Sequence, residues 1–208
     1  MSALWNGVVR QFGNPSGPLG VLAGLVMRLR SSNRVRNLRT VELLGIQPAD
    51  RVLEVGFGPG LALARAAELA SAGKVVGLDH SELMLRTATR RNAEAIGAGR
   101  VELLLGSADA LPRFDQPFDK VFAVNVYMFW DDPASTLASL RRIMSPGGVL
   151  ALTLQPRRPG ATAADTRAAA ERMTASLQAA GFADVRTEFV EVSPVIAACV
   201  LGRAPRCA

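Results

Sequence analysis

The chain of 208 residues has few of the residue types that build disulfide frameworks or metal centres: two cysteines and one histidine. Cys199 and Cys207 have neither a metal-ligand nor a redox spacing, which favours a buried packing thiol and a tail thiol. We therefore predict no metal site. The apolar run from Pro18 to Met27 is about half the length that crosses a bilayer, so we expect no transmembrane segment.

Acidic residues are also in deficit, with 18 against 24 basic residues and a net charge of +6. Such a charge could attract nucleic acid, phospholipid or an acidic metabolite. Five arginines form a local cluster, for which contact with an anionic partner and a solvated helix face both stay open. They are Arg28, Arg30, Arg34, Arg36 and Arg39. No aromatic residues alternate with them, which disfavours nucleic acid.

The beginning of the chain gives no targeting signal, because residues 1–5 lack the basic start of a secretory leader. We therefore expect a cytoplasmic protein. Peripheral membrane contact stays open, and both a monomer and a homodimer are compatible with the sequence.

Apolar segments alternate between helical and strand periods, which predicts an α/β fold. The predicted helices are 19–29, 36–44, 61–69, 82–95, 133–144 and 163–180, and the predicted strands are 52–55, 75–78, 101–105, 120–124, 149–154, 185–192 and 195–201. The alternation predicts a doubly wound, mostly parallel seven-stranded sheet. The Ser193-Pro194 turn makes the last two strands an antiparallel hairpin. Residues 1–45 would form an N-terminal helical layer on a core of residues 46–208.

A glycine turn follows the first predicted strand. Gly56, Gly58 and Gly60 come directly before a predicted helix, and Glu54 ends the strand in front of them. Glycines allow a tight bend and let a ligand approach backbone N–H groups. An ordinary βα turn can have such glycines too, whereas a dinucleotide fingerprint requires G-x-G-x-x-G. Glu54 disfavours a pyrophosphate and favours a cationic amine or sulfonium.

A second acidic residue, Asp79, ends the second predicted strand. A carboxylate at this place can accept both hydroxyl hydrogens of a ribose. Asp79 could instead cap the next helix, although Ser81 offers a better cap. Ligands of open α/β sheets bind at the carboxyl ends of adjacent strands, so we expect Glu54 and Asp79 to face one crevice.

In combination these motifs resemble those of the class I S-adenosylmethionine-dependent methyltransferases, most of all the small-molecule branch that includes quinone-biosynthesis enzymes. The similar segments are E-x-G-x-G-x-G at 54–60, LDHSELML at 78–85, GSADALP at 106–112, SPGG at 145–148 and the final hairpin. The resemblance covers residues 36–202. It implies a Rossmann-like fold, S-adenosyl-L-methionine as the cofactor without a metal, and methyl transfer to oxygen, carbon or nitrogen of a small molecule.

The resemblance also implies roles in cofactor binding. The glycines would pass under the methionine part, and Glu54 would orient its amino group directly or through water. Asp79 would hold the ribose, His80 would lie along the adenine, and the Asn125 backbone would meet the amine. Ala108 and Asp109 would read the adenine edge. The predicted set is Glu54, Gly56, Phe57, Gly58, Gly60, Asp79, His80, Met84, Ser107, Ala108, Asp109 and Asn125.

For the acceptor we predict a lining from the N-terminal layer and from the segment after the fourth strand. The predicted residues are Phe12, Asn14, Tyr127, Phe129 and Trp130. The aromatic ones could also cap the sheet edge. Methyl transfer from a sulfonium needs positioning and desolvation more than a nucleophile. For an oxygen acceptor, Tyr127 and His80 are the candidate catalytic bases, although the family usually has an apolar residue in place of His80 and stacking on adenine is favoured.

Two other functions stay open. One is a protein that binds the cofactor without catalysis, and the other is a methyltransferase for RNA or protein, which the basic charge suggests. After the fourth strand the chain lacks the N/D-P-P-Y/F signature of enzymes that methylate amines of DNA and proteins. A small-molecule acceptor is therefore favoured over nucleic acid.

Overall fold

The computed structural model of the protein describes residues 31–206. The predicted helix at 19–29 and the residues Phe12, Asn14 and Cys207 lie outside this range. The described helices are α1 Ser31–Leu44, α2 Leu61–Leu69, α3 Glu82–Arg91, α4 Ala93–Gly97, α5 Pro133–Arg142 and α6 Ala163–Ala179. The strands are β1 Arg51–Val55, β2 Lys74–Asp79, β3 Val101–Leu105, β4 Phe118–Val124, β5 Met144–Leu154, β6 Ala183–Val190 and β7 Ala197–Arg203.

The strands form one seven-stranded sheet in the order β3-β2-β1-β4-β5-β7-β6. Strands β1 to β5 pair in parallel, and β7 lies antiparallel between β5 and β6. The predicted mostly parallel sheet with a reversed C-terminal hairpin is therefore confirmed. In the sheet order, the chain leaves β1 toward β2 on one side and returns to its other side at β4. A crevice opens at such a reversal.

Helices cover both faces of the sheet. Neighbouring residues of a strand point to opposite faces, so one strand contributes side chains to two buried clusters. Leu53 of β1 belongs to a buried cluster with side chains of α5 and α6, such as Leu140 and Met173. Val52, its neighbour, belongs to a second cluster with side chains of α1 and α2, such as Val41 and Leu63. The inner parallel strands β1, β2, β4 and β5 are thereby mostly buried, as doubly wound sheets require, whereas the edge strand β3 is only partly buried.

Several predicted boundaries were wrong. The predicted helix at 82–95 is interrupted at Asn92, whose buried side-chain amide donates to the carbonyls of Ala88 and Gly60. The link between the last two strands is residues 191–196 rather than a two-residue turn, and Met144 starts β5 instead of ending α5. None of the helices between residues 31 and 206 combines the length and apolarity needed to span a membrane.

Helix α1 begins at Ser31, five residues before its predicted start at Arg36, and packs on β4 and β5. A buried pair of hydroxyls fixes its position: Thr40 Oγ1 lies 2.7 Å from Thr153 Oγ1 of β5. The Thr40 hydroxyl also donates to the backbone carbonyl of Arg36 at 2.8 Å. These contacts hold the first turns of α1 above the carboxyl end of β5.

Thr40→Val should lower the free energy of unfolding by about 1–2 kcal/mol, because it leaves the buried Thr153 hydroxyl without this partner. Urea unfolding at constant m-value measures the change. Thr89→Val is the matched control, since the Thr89 hydroxyl makes the same local bond, to the Leu85 carbonyl, on an exposed face. The control should change stability by less than about 0.5 kcal/mol. Equal losses in the two variants would contradict the role of the hydroxyl pair.

Candidate functional site

A cavity of about 570 Å³ opens at the carboxyl ends of the parallel strands. Its walls come from the segments that follow β1 to β5 and from the first turns of α1. This volume is within the range of sites for small molecules and cofactors. The crevice predicted from the topology is therefore a formed cavity.

The glycine turn after β1 makes one wall of this cavity. Gly56, Gly58 and Gly60 all have positive φ, of 72°, 51° and 75°. A Cβ at Gly56 would clash with Val126, and one at Gly60 would lie 2.6 Å from Asn92 Nδ2. A Cβ at Gly58 would meet nothing within 4 Å, and Gly58 lines the cavity. Gly56 and Gly60 are thus also needed for close packing, whereas Gly58 leaves open space toward a ligand.

Asp79 joins this turn to the end of β2. Its Oδ2 accepts the Gly58 N–H at 2.8 Å, and its Oδ1 accepts the Ser81 N–H at 2.9 Å. Ser81 caps α3 by accepting the Met84 N–H, as expected from the sequence. Burial raises the pKa of Asp79, although the hydrogen bonds from Ser81 and Gly58 act in the opposite direction. Asp79 lines the same cavity as the turn.

Glu54 is buried in the wall between β1 and the glycine turn. Burial raises its pKa well above the usual range, and the nearby negative charge of Asp79 raises it further. Among the described residues, its Oε2 has no hydrogen-bond partner. A buried carboxylate with an unpartnered oxygen is costly. A ligand that brings a cationic amine, directly or through a water, would relieve this cost, so the site fits such a ligand.

The segment after β3 forms the next wall. Asp109 Oδ2 accepts the Ser107 hydroxyl and its Oδ1 accepts the Thr136 hydroxyl, both at 3.2 Å. Ala108, His80 and Met84 line the cavity beside them, and the His80 side chain is exposed. The cavity therefore brings together the residues predicted to hold the nucleoside: two carboxylates, a flat ring and apolar side chains. Two hydroxyls orient the carboxylate of Asp109.

The segment after β4 faces the cavity with only some of its aromatic side chains. Met128, Phe129 and Trp130 line the cavity, but Tyr127 does not. The Tyr127 hydroxyl lies 2.9 Å from Ser176 Oγ of α6, and its ring packs edge-on against Trp130. The 3₁₀ turn at Tyr127–Phe129 rotates this side chain toward α6. The structure thus gives Tyr127 a packing role instead of the predicted place in the acceptor pocket.

Asn125, just past β4, has φ 58°, which is rare for a residue other than glycine. Its N–H donates to the Thr153 carbonyl at 2.7 Å, and its Oδ1 accepts the Gln155 N–H at 2.8 Å. These two bonds hold Asn125 in the cavity wall next to the end of β5.

Arg36 belongs to the site, although sequence analysis did not distinguish it from the other clustered arginines. Its side chain is buried, at 1% exposure, and lines the cavity. Nη1 donates to Gln155 Oε1 and Nη2 donates to Asn33 Oδ1, both at 2.6 Å. Nε has no partner among the described residues. Burial and the neighbouring Arg157 lower the pKa of Arg36 to about 9.

The structure describes three of the five clustered arginines and places them differently. Arg34 and Arg39 are exposed, Arg39 pairs with Glu42 at 3.1 Å, and Arg28 and Arg30 lie outside the described residues. The helical period is the sequence signal that could have identified Arg36 as buried. The buried residues Thr40 and Leu44 follow it at four-residue intervals, so all three lie on one face of α1.

Gln155, which sequence analysis also missed, is a buried junction at the end of β5. Besides accepting from Arg36, its Nε2 donates to the carbonyls of Val195 at 2.7 Å and Ser193 at 3.1 Å. It therefore links α1 to the loop before β7. Between residues 31 and 206, no cluster of three or more His, Cys, Asp or Glu side chains could hold a metal ion.

Comparison with known proteins agrees with this geometry. Residues 52–148 match the family described as "Methyltransferase domain". The chain is 34% identical over 185 residues to the Bacillus subtilis protein named "Uncharacterized methyltransferase YdaC", covering 89% of this chain and 99% of that protein. It is 40% identical over 108 residues to the demethylmenaquinone methyltransferase of Symbiobacterium thermophilum. That match covers 49% of this chain and 41% of the relative, so the chain spans less than half of the quinone methyltransferase.

Among solved structures, a SAM-dependent methyltransferase from Aquifex aeolicus superimposes with a TM-score of 0.65 at 22% identity. The superposition covers 86% of this chain and 92% of that one, which shows a shared fold. The full-length match to YdaC, the domain match and the fold lead to one assignment. The chain belongs to the class I S-adenosylmethionine-dependent methyltransferases, and S-adenosylmethionine is its cofactor.

Proposed function

We propose that this methyltransferase acts on a small-molecule acceptor. The observation that carries the proposal is the cavity of about 570 Å³, in which the glycine turn, Asp79 and the segments after β4 and β5 meet. A cavity of this size is within the range of sites that hold cofactors and small molecules. The relative named demethylmenaquinone methyltransferase supports an acceptor of this class. The bound cofactor supplies a methyl group on a positively charged sulfur, and the chain contributes orientation and the exclusion of water.

The nucleoside end of the cofactor would bind along β1, β2 and β3. The two oxygens of Asp79 accept the N–H groups of Gly58 and Ser81, and a carboxylate has about four acceptor positions in all, so Asp79 could also accept ribose hydroxyls. The exposed ring of His80 would lie along the adenine, and Asp109 with the Ala108 backbone would read the adenine edge. His80 is then committed to binding, so we assign it no catalytic role.

The amino acid end of the cofactor carries an ammonium and a carboxylate, and the cavity has a buried partner for each. Glu54 would orient the ammonium, together with the backbone of Asn125. Arg36 would bind the carboxylate, because the hydrogen bonds of its guanidinium to other residues between 31 and 206 go to the neutral amide oxygens of Gln155 and Asn33. The first acidic residue of the chain is Glu42, so residues 1–30 contain no side-chain carboxylate for Arg36. A buried cation without a counter-ion is costly, and the bound carboxylate would offset that cost.

The acceptor would lie against Met128, Phe129 and Trp130. The buried Nε1 of Trp130 has no partner among the described residues and can donate to a polar atom of the acceptor. We propose that residues 1–45 form a lid over this side, of which α1 is the described part. Neither Phe12 nor Asn14 belongs to the described residues, so their acceptor contacts stay predictions.

Transfer of a labelled methyl group from the cofactor to candidate acceptors tests this function. The full chain, given tritium-labelled cofactor, should methylate members of a panel of quinones, phenols and amines. The rate should change little between about 50 and 200 mM salt, because no phosphate backbone is bound. Gly58→Val is the control and should abolish transfer, because its side chain enters the cavity. Labelling of RNA or protein in a salt-sensitive way would overturn the small acceptor, and cofactor binding without any turnover would favour a non-catalytic binder.

Arg36→Gln should weaken binding of S-adenosylhomocysteine about 10- to 100-fold, through loss of charge-assisted hydrogen bonds to its carboxylate. Binding of 5′-methylthioadenosine, which lacks the amino acid end, should hardly change. Calorimetry with both ligands measures the difference. Arg34→Gln, on the exposed side of the same helix, is the control and should leave both affinities unchanged. Equal losses for the two ligands would remove Arg36 from the carboxylate site.

Glu54→Gln should alter the pH dependence of both stability and binding. Because the pKa of Glu54 is raised, the folded protein keeps a proton that the unfolded chain loses. Its contribution to stability is therefore full below the usual carboxyl pKa and is lost as pH rises through the raised pKa. The ammonium of the cofactor favours the ionised form, so binding releases a proton and strengthens over the same pH interval.

The variant should therefore be more stable than the wild type at neutral pH when unliganded, yet bind S-adenosylhomocysteine more weakly and with less proton release. Thermal unfolding gives the first quantity, and calorimetry in two buffers of different ionisation enthalpy gives the second. Unchanged affinity and proton release in Glu54→Gln would exclude Glu54 from the ammonium site.

A further inference from the structure

Strand β6 forms one edge of the sheet, at the end of the order β3-β2-β1-β4-β5-β7-β6. Among residues 31–206 it pairs only with β7, so the N–H and C=O groups along its other side have no strand partner there. An edge of this kind can pair with a strand of another chain. Phe189 of this strand is 42% exposed, although it is a large apolar residue.

The two faces of β6 differ in character, because alternate residues of a strand point to opposite faces. Thr187 faces α6, with its Oγ1 atom 3.4 Å from Oγ1 of Thr174. Phe189 lies on the same face, and these three residues line a groove of about 250 Å³ between α6 and the edge. Arg186 and Glu188 lie on the opposite face, where both are about half-exposed and Arg186 Nε is 3.8 Å from Glu188 Oε1.

The charges of this edge are complementary to a second copy of the same edge. In an antiparallel pair of β6 strands with a two-fold axis through Thr187, Arg186 of each copy lies opposite Glu188 of the other. Side chains directly opposite each other have Cβ atoms about 4.5–5.5 Å apart, whereas alternate residues of one strand are roughly 6.5 Å apart. The pairing therefore brings opposite charges closer together than a single strand does. On the groove side it places Phe189 beside Val185 of the other copy.

Charge also selects this register over the adjacent symmetric ones. An axis through Glu188 would place the two Glu188 carboxylates together, and an axis through Arg186 would place the two Arg186 guanidiniums together; like charges directly opposite each other are destabilising. The other edge strand, β3, has no such pattern, because its one charged residue, Glu102, pairs with Lys74 of β2 at 2.5 Å. The complementarity is thus specific to β6.

We propose that the protein forms a homodimer in which the β6 strands of two copies pair antiparallel about a two-fold axis through Thr187. The pairing joins the two seven-stranded sheets into one continuous sheet. Such an interface uses the same surface of both copies and therefore closes without forming a filament. None of the described residues that line the cavity belongs to β6, so the interface does not include the cofactor site. The inference is independent of the acceptor.

Charge reversal tests the dimer and its register, with sedimentation velocity of the full chain over a range of concentrations. We expect the wild type to dimerise with a dissociation constant of about 1–50 μM. Arg186→Glu and Glu188→Arg should each weaken the dimer about tenfold or more, because each places like charges opposite each other at two positions. An equimolar mixture of the two variants should recover the dimer, because the charges at both positions are then opposite.

Glu102→Arg is the matched control, because it makes the same charge reversal on the β3 edge. It should dimerise like the wild type. All three variants should bind S-adenosylhomocysteine within about twofold of the wild type, which shows that they are folded. The proposal is overturned if the wild type stays monomeric at about 100 μM, if either β6 variant dimerises as well as the wild type, or if the mixture does not recover the dimer. A loss in Glu102→Arg as large as in Glu188→Arg would also overturn it, since the effect would then come from net charge.

Discussion

The carboxylate of Asp79 is the contact on which the geometry of the site depends. It accepts the N–H of Gly58 from the turn after β1 and the N–H of Ser81 at the start of α3. Two separate βα turns thereby become one rigid wall, with the open Cβ position of Gly58 beside an acidic group. Without these two hydrogen bonds, which together we call the Asp79 clamp, the positive φ angles of the turn would only bend the chain locally. With it, the glycine turn and the start of α3 keep a fixed distance, as a ligand with two recognition ends requires.

The burial of Asp79 also affects the charged side chains near it. Asp79 is buried and lies near the buried Glu54, so that two carboxylates share an apolar region, and the pKa of each is raised. At the other side of β1, Arg36 is buried against amide oxygens rather than carboxylates. Placing charges this way lowers the stability of the unliganded fold. A zwitterionic ligand reverses the penalty, since it stabilises the folded state by mass action. We therefore interpret these charges as groups retained for binding.

How much the sequence could predict depended on whether the signal was local. The glycine turn, Asp79 and the Ser81 cap are defined by neighbours a few residues away, and the structure has them where the pattern indicated. Tyr127 was misjudged because a 3₁₀ turn changes the side-chain direction within three residues. Gln155 gave no signal at all, because its four hydrogen bonds reach residues from Arg36 to Val195. Its importance comes from tertiary packing, which a single sequence does not encode in a short pattern.

The placement of the cavity walls on both sides of β1 follows from the topology rather than from any single residue. Strands β2 and β3 lie on one side of β1, and β4 and β5 lie on the other, so that loops formed by different parts of the chain meet at one cavity. The loops of β1 to β3 carry the residues expected to recognise the invariant part of the reaction, the cofactor. The segment after β4 carries Met128, Phe129 and Trp130. Substitutions in this second set can change the acceptor while the Asp79 clamp stays intact. A fold divided in this way can keep one cofactor and serve many acceptors, because specificity and cofactor binding depend on different strands.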